Sequence, residues 1–454
     1  MSIVVREADI NAYKGNYLDR LAEDIYTVDP RIKNKQTTFA CASALLGCLL
    51  PNVRIATRVG HPLSLCEMNF FIGSSGVGKT IPFNELRRLI EGLTIEGHSL
   101  LLPSRFTTEG LEDYFARQDE DGEYIYPNIG IMLIDEISQM FSEAKHKKHL
   151  SGTIEEIARL YDHNLPTTAL VSGVRQPRNP YISFIGATVP ENLHKIDDSF
   201  FQTGEAGRMF WVNCDSDNTK LDGISISEKD VDVSNKRLKL HISLLQDLIR
   251  RNPKNIEYIY IQPEADKVWL NYSNKANDEW EYGRATNRFG WDYQYKKRLA
   301  EMAIKQAGRY AIGRCFNRLI REKSDKPLNV CITVEDMTKG IVRTNLCDMN
   351  LAEIMVLRRE AIAYQKNSKK LSFTKNPEVA VLLALKNAIN KTMNSTQLFS
   401  ESGISNYQEF QSILIKHIKD GKILEVDKKT ITNLRERNRL TADHNRTKIY
   451  QLKQ

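Results

Sequence analysis

Residues 70–80 read Phe-Phe-Ile-Gly-Ser-Ser-Gly-Val-Gly-Lys-Thr, and no other stretch constrains the chain as tightly. An apolar run enters Gly73, glycines recur at Gly76 and Gly78, and a helical pattern starts at Ile81. The order predicts a strand, a tight loop and a helix. Glycines let the backbone curl so that successive N–H groups face one anion. The helix behind them adds its positive N-terminal end. Gly73, Ser74, Ser75, Gly76, Val77, Gly78, Lys79 and Thr80 are therefore expected to cradle the phosphates of a nucleotide such as ATP. Lys79 is placed to reach the β- and γ-phosphates, and the Thr80 hydroxyl to hold Mg2+. A glycine turn that binds nothing is the plainer reading; the Lys-Thr ending in a strand–loop–helix context weighs against it.

At 454 residues the chain exceeds a single core, so two to four domains are expected. Its 41% hydrophobic and 27% charged content fits a soluble globular protein. No apolar run approaches membrane-spanning length and the N-terminus carries no signal-peptide pattern, so no membrane partner and a cytoplasmic location are expected. The seven cysteines are scattered without a Cys-x-x-Cys pair, which argues for reduced thiols rather than zinc or disulfides. The net charge of +7 permits a nucleic-acid partner without requiring one.

Before the loop, Leu18, Leu21 and Ile25 share a helical face and residues 39–50 form an apolar helix broken at Pro51. Residues 53–59 alternate as a strand. After the loop, Ile131 to Ile134 is a continuous apolar run ending in Asp135-Glu136. Such a run marks a buried parallel strand, and carboxylates at its C-terminal end face a ligand crevice. Asp135 is expected in the magnesium shell and Glu136 is expected to polarise the attacking water; an acidic helix start is the plainer reading. A second strand, residues 181–188, closes on Thr188, placed to touch the γ-phosphate or that water, or simply to end a strand in a turn. Arg208 precedes the apolar residues 209–212. It could reach the nucleotide of a neighbouring subunit, or form a structural salt bridge. Residues 167–180 alternate, turn and lead into the 181–188 strand, which reads as a hairpin.

Taken in order, these motifs resemble the AAA+ ATPases over residues 40–215. Residues 73–80 are similar to their Walker A loop, 131–136 to Walker B, Thr188 to sensor 1 and Arg208 to the arginine finger. The hairpin before residue 181 resembles that of superfamily 3 and MCM-type helicases, where it enters a central channel and holds DNA. The resemblance implies that Arg175 and Arg178 form its cationic tip, gripping single-stranded DNA inside a homo-oligomeric ring, a hexamer by family habit. Residues 296–307 resemble the lid helix, with Arg298 as sensor 2; a solvated basic face is the plainer reading. The fold class implied is α/β: an AAA+ P-loop core at 53–215 behind an N-terminal helical region at 1–52, then a helical lid at 216–368.

Residues 229–365 read as mostly helices, at 235–251, 264–276, 291–312 and 334–366, and 365–375 as a polar linker. The remainder, 369–454, is patterned as a winged-helix domain: three helices, two strands, and a basic arm of Lys428, Lys429, Arg435, Arg437, Arg439 and Arg446. Such units bind duplex DNA by a helix in the groove and an arm on the phosphates. Gln408, Gln411 and Lys416 are candidates for the groove. An ATPase joined to a duplex reader resembles the self-loading replication initiator helicases of phages, plasmids and phage satellites, which implies origin DNA as a partner. Two alternatives stand beside it. One is a RecA-like motor with Glu109 as the base. The other is a loader or regulator that uses ATP as a switch and does not unwind DNA.

Overall fold

The computed structural model describes residues 15–29, 32, 34–57, 62–146, 153–163, 165, 167–170, 173–202, 205–215, 228–286, 291–372, 377–388, 392–402, 404, 407–426 and 449–453. The chain divides into two compact units, Met1–Leu357 and Arg358–Gln454. It is mixed α/β with parallel sheets.

In the first unit, α1 (Tyr17–Val28) and α2 (Lys35–Cys48) each begin at an asparagine. Asn16 accepts from the Leu18 amide, and Asn34 from the amides of Gln36 and Thr37. A side-chain cap of this kind stabilises a helix by about 1 kcal/mol. Leu18, Leu21 and Ile25 are buried on one face of α1. By contrast α2 is buried all round from Thr37 to Cys48, so it carries small and apolar residues rather than a stripe.

There follow β1 (Val53–Ile55), β2 (Met68–Ile72), α3 (Thr80–Glu91), β3 (Thr94–Ile95), β4 (His98–Ser99), α4 (Thr108–Ala116) and β5 (Ile129–Ile134). Next come α5 (Ile137–His146), α6 (Thr153–Tyr161), β6 (Thr168–Leu170), β7 (Gly173–Arg175), β8 (Tyr181–Thr188), α7 (Asp198–Gln202) and β9 (Met209–Asn213). Four strands make an all-parallel sheet in the order β5-β8-β2-β9. Every residue of β2 is buried. Phe70 meets Trp211 at 4.8 Å and Phe141 at 6.0 Å on one face, while Phe71 stands edge-on to Phe83 of α3 at 5.6 Å on the other. Removing a ring such as Phe70 would cost about 3–5 kcal/mol. Helices on both faces explain why these strands read as continuous apolar runs. Because all four run the same way, their C-terminal ends share one edge.

The unit is completed by α8 (Glu228–Arg250), β10 (Glu257–Ile261), α9 (Pro263–Thr286), α10 (Trp291–Glu322), β11 (Cys331–Ile332) and the part of α11 (Val334–Ser372) up to Leu357. The four helices read from the pattern are present and longer than expected. The strands β10 and β11 between them were not expected; with β1 they form a second parallel sheet. β10 is short and exposes Tyr258 and Tyr260, so it shows no buried run. The strand expected over 53–59 is only three residues long, because Ile55 pairs back with Leu63. A second correction concerns the expected linker, which is helical through Ser372. Gln, Lys and Leu are good helix formers, and the first helix-breaking residue beyond is Pro377.

The second unit contains α12 (Pro377–Asn387), β12 (Thr392–Asn394), α13 (Ser395–Ser402), α14 (Tyr407–Lys419), β13 (Ile423–Val426) and β14 (Ile449–Leu452). Its sheet is antiparallel in the order β12-β14-β13, one strand more than the pattern showed. Val381, Leu385, Leu398, Phe410, Leu414 and Ile423 form its core. Lys428, Lys429, Arg435, Arg437, Arg439 and Arg446 lie outside the described residues. Among the described residues no helix is long and apolar enough to cross a membrane.

Candidate functional site

The glycine loop leaves β2 at the shared C-terminal edge and enters α3. Gly76 and Gly78 each adopt φ +83°, a left-handed conformation that side chains resist. Gly73 is needed for a different reason, since a Cβ there would fall 2.6 Å from the Cys214 Cβ. Lys79 Nζ donates to the carbonyls of Gly73 at 2.8 Å and Ser74 at 3.2 Å, which holds its ammonium against the loop. Ser75 and Gly76 are exposed. Thr80 is the first residue of α3, and its Oγ1 donates to Asp135 Oδ1 at 3.3 Å. These two oxygens together suit a hard divalent cation.

Strand order explains that meeting. β8 lies between β2 and β5, so Thr188 at its end stands between the loop and the Asp135-Glu136 pair. Thr188 is fully buried; its Oγ1 donates to Glu136 Oε1 at 2.6 Å. Ser138, also buried, donates to the same oxygen. The backbone N–H of Gly73 donates to the Thr188 carbonyl at 3.3 Å. Residues 73–80, 135, 136 and 188, far apart in sequence, thus converge on one edge. The arrangement can hold a polyphosphate and a cation, with a carboxylate fixed beside them.

Arg208 lies elsewhere. Met209 pairs with Met68 and Asn213 with Ile72, so Arg208 sits at the opposite end of the sheet. Five residues of strand put it about 16 Å from the loop of its own chain. Its guanidinium is largely buried and paired with Asp162 at 2.9 Å. Arg298, read as a candidate sensor 2, is at that end too and away from the loop of its own chain. It packs on Gly207, where a Cβ would come within 3.1 Å of its Cγ, and pairs with Glu301 at 2.9 Å. Burial works against the charge of Glu301, but Lys305, Tyr161 and Arg298 outweigh it and hold the carboxyl at about 2.

The hairpin exists as β6 and β7, but its arginines are not at its tip. Arg175 pairs in register with Thr168 at the open end and forms ion pairs with Glu112 at 3.2 Å and Asp113 at 2.8 Å. Arg178 lies beyond the hairpin, 4.5 Å over the Tyr124 ring, and donates to the Tyr126 carbonyl. Two-residue alternation cannot say where a hairpin turns. Residues 171–172, between the two strands, lie outside the described residues. Glu109 is exposed in the first turn of α4 and has no hydrogen bond or ion pair with the loop. In the second unit Lys416 is held by Glu378 at 2.6 Å, and Gln408 is exposed on α14.

One residue at the edge was missed. Asp215, two residues beyond β9, accepts from the Ser74 amide at 3.0 and 3.1 Å and from Ser74 Oγ at 2.8 Å. The rule that picked out Asp135, an acid just past the end of an apolar strand, would have found it. No family model matches this chain, and no curated protein matches it either.

Proposed function

We propose that this chain is an ATP-hydrolysing DNA motor of the AAA+ kind, a ring-forming replicative helicase whose C-terminal winged-helix unit binds origin DNA. The observation that carries the reading is the meeting of Thr80, Asp135, Glu136 and Thr188 at the C-terminal ends of adjacent parallel strands. In this reading residues 73–79 wrap the phosphates, and Lys79 offsets their charge. Thr80 and Asp135 would hold Mg2+, which supplies charge neutralisation on the phosphates when bound. Glu136, oriented by Thr188 and Ser138, would accept the proton of the attacking water. Arg208 cannot serve its own loop, so any finger role falls on a neighbour's nucleotide, and such head-to-tail contacts close into rings.

A switch-like loader that does not unwind is the second reading. The pairing of Arg175 and Arg178 within the chain favours it, since neither is free to grip a strand. Forked-duplex unwinding with and without ATP separates the two. The helicase reading expects strand release that needs ATP and vanishes in Glu136→Gln. Slow ATP turnover without strand release would leave the loader.

A further inference from the structure

We infer that Asp215 is a positioning residue for the loop, and that Asn213 and Glu353 link it to α11. The loop root is tied on both sides by backbone bonds: Gly73 N–H to the Thr188 carbonyl at 3.3 Å, and Cys214 N–H to the Ile72 carbonyl at 2.6 Å. Ser74 is the first residue beyond those ties. Its amide and hydroxyl both donate to Asp215. Asp215 is itself held, because its amide donates to Asn213 Oδ1 at 3.1 Å. Asn213 Nδ2 in turn donates to Glu353 Oε2 at 2.6 Å. Glu353 belongs to α11, the helix that runs on to Ser372. A series of hydrogen bonds, running through side chains and the Asp215 amide, therefore joins the glycine loop to a long helix.

The physical consequence concerns loop shape. Ser74 lies between Gly73 and the left-handed Gly76, where the chain has most freedom to splay. A carboxylate that takes two donors from one residue fixes that residue's orientation strongly, since bonds to charged acceptors exceed neutral ones. Holding Ser74 keeps the later amides of the loop aimed at a common point, so that less ordering remains when an anion binds. A shift of α11 would reach the loop through Glu353 and Asn213. The importance of this link for nucleotide binding rests on the reading of the loop as a nucleotide site; the link itself does not.

Two readouts on the full chain test it. The first needs no ligand: hydrogen–deuterium exchange across 73–78. Asp215→Ala should speed exchange at Ser74 by about tenfold, the size of a lost bond to a charged group. Glu353→Ala should act in the same direction but less, and Glu353→Gln, which keeps an acceptor oxygen, should restore protection. Exchange in β5 should stay at wild-type rates in every variant, which excludes general loosening. The second readout is the affinity for a fluorescent ATP analogue, expected to weaken about tenfold in Asp215→Ala and less in Asp215→Asn. Unchanged exchange at Ser74 in Asp215→Ala overturns the inference. Faster exchange in Asp215→Ala with wild-type rates in Glu353→Ala overturns the link to α11. Absence of nucleotide binding by the wild-type chain would refute the proposed function, while the exchange data would still decide the link.

Discussion

Asp135 and Glu136 are neighbours in sequence, yet β5 delivers them to different partners, Thr80 for one and Thr188 with Ser138 for the other. In the proposed reading that division separates cation holding from proton acceptance. Glu136→Gln should therefore keep nucleotide affinity and lower turnover by about 10²–10⁴-fold, the usual share of a general base. Lys79→Ala should abolish binding instead. Thr188→Val keeps the shape of the strand end but removes one of the two hydroxyls that hold Glu136, so turnover should fall with affinity unchanged, and Thr188→Ser should recover much of it. Steady-state hydrolysis beside analogue binding measures each; a Glu136→Gln chain that hydrolyses ATP at the wild-type rate would exclude Glu136 as the base and return Glu109 to consideration. A residue of another kind bears on acid stability. His163 donates from Nδ1 to the Pro180 carbonyl at 2.6 Å, while its buried Nε2 has no hydrogen-bond partner. Burial, with Lys305 adding repulsion, pushes it down to about 3 from an ordinary 6.5. The folded ring stays neutral where the unfolded chain takes up a proton. Its contribution is full above the ordinary value and is lost as pH falls from there toward the folded value, at no more than about 1.4 kcal/mol per pH unit. The melting temperature should drop between pH 7 and 5, and His163→Gln should flatten that drop. Glu301, held at about 2, gives way only at lower pH and does not enter this window.

Elements show where function was legible and where it was not. The glycine loop and the strands ending at Asp135 and Thr188 announced themselves because phosphate binding and burial on both faces demand unusual residue runs. Their convergence depended on β8 inserting between β2 and β5, and local pattern carries no strand order. The arginines were misplaced for a related reason. A guanidinium in a plausible position reads the same whether it faces solvent or a carboxylate. Arg175 was expected at a hairpin tip and is held by Glu112 and Asp113; Arg298 was expected at the loop and is held by Glu301. Arg208 is the instructive case. It sits at the N-terminal end of β9, and its partner Asp162 follows α6, so the salt-bridge reading describes the chain as it stands. A finger role requires that pair to open toward a neighbour. Arg208→Ala should then leave analogue binding near wild type and remove most turnover, since the interaction forms only at the transition state of the next subunit. Mixing Arg208→Ala with Glu136→Gln subunits should restore part of the activity through composite sites that are whole. A purely structural pair predicts no recovery in any mixture, with co-assembly verified by size, and a lowered melting temperature for Arg208→Ala alone.

At the scale of the whole molecule, the two units have separate cores, and the boundary between them falls within α11. The second unit buries Val381, Leu398, Phe410 and Leu414 around three helices and a small antiparallel sheet. The proposed division of labour follows: the first unit turns over nucleotide, and the second reads duplex DNA. A chain ending at Ser372 should keep ATPase activity near that of the full protein and lose specific duplex binding. Electrostatics gives the sharper form of the test. Lys428, Lys429, Arg435, Arg437, Arg439 and Arg446 concentrate positive charge between β13 and β14. Contacts from such an arm release counterions, so log affinity should fall linearly with log salt, by about 0.9 for each phosphate contacted. Replacing Lys428, Lys429, Arg435 and Arg437 by glutamine should reduce that slope by about 3–4 and weaken all duplexes to a similar extent, because phosphate contacts position without reading sequence. Changing Gln408 on α14 should instead relax the preference for one sequence over another, since base edges are read by side chains in the groove. Gel shifts across a salt series, on candidate origin duplex and on scrambled duplex, measure slope and preference together. If the chain ending at Ser372 shifts the specific duplex as tightly as the full protein, the duplex reader lies in the first unit. The initiator layout then loses its basis, whatever the ATPase measurements show.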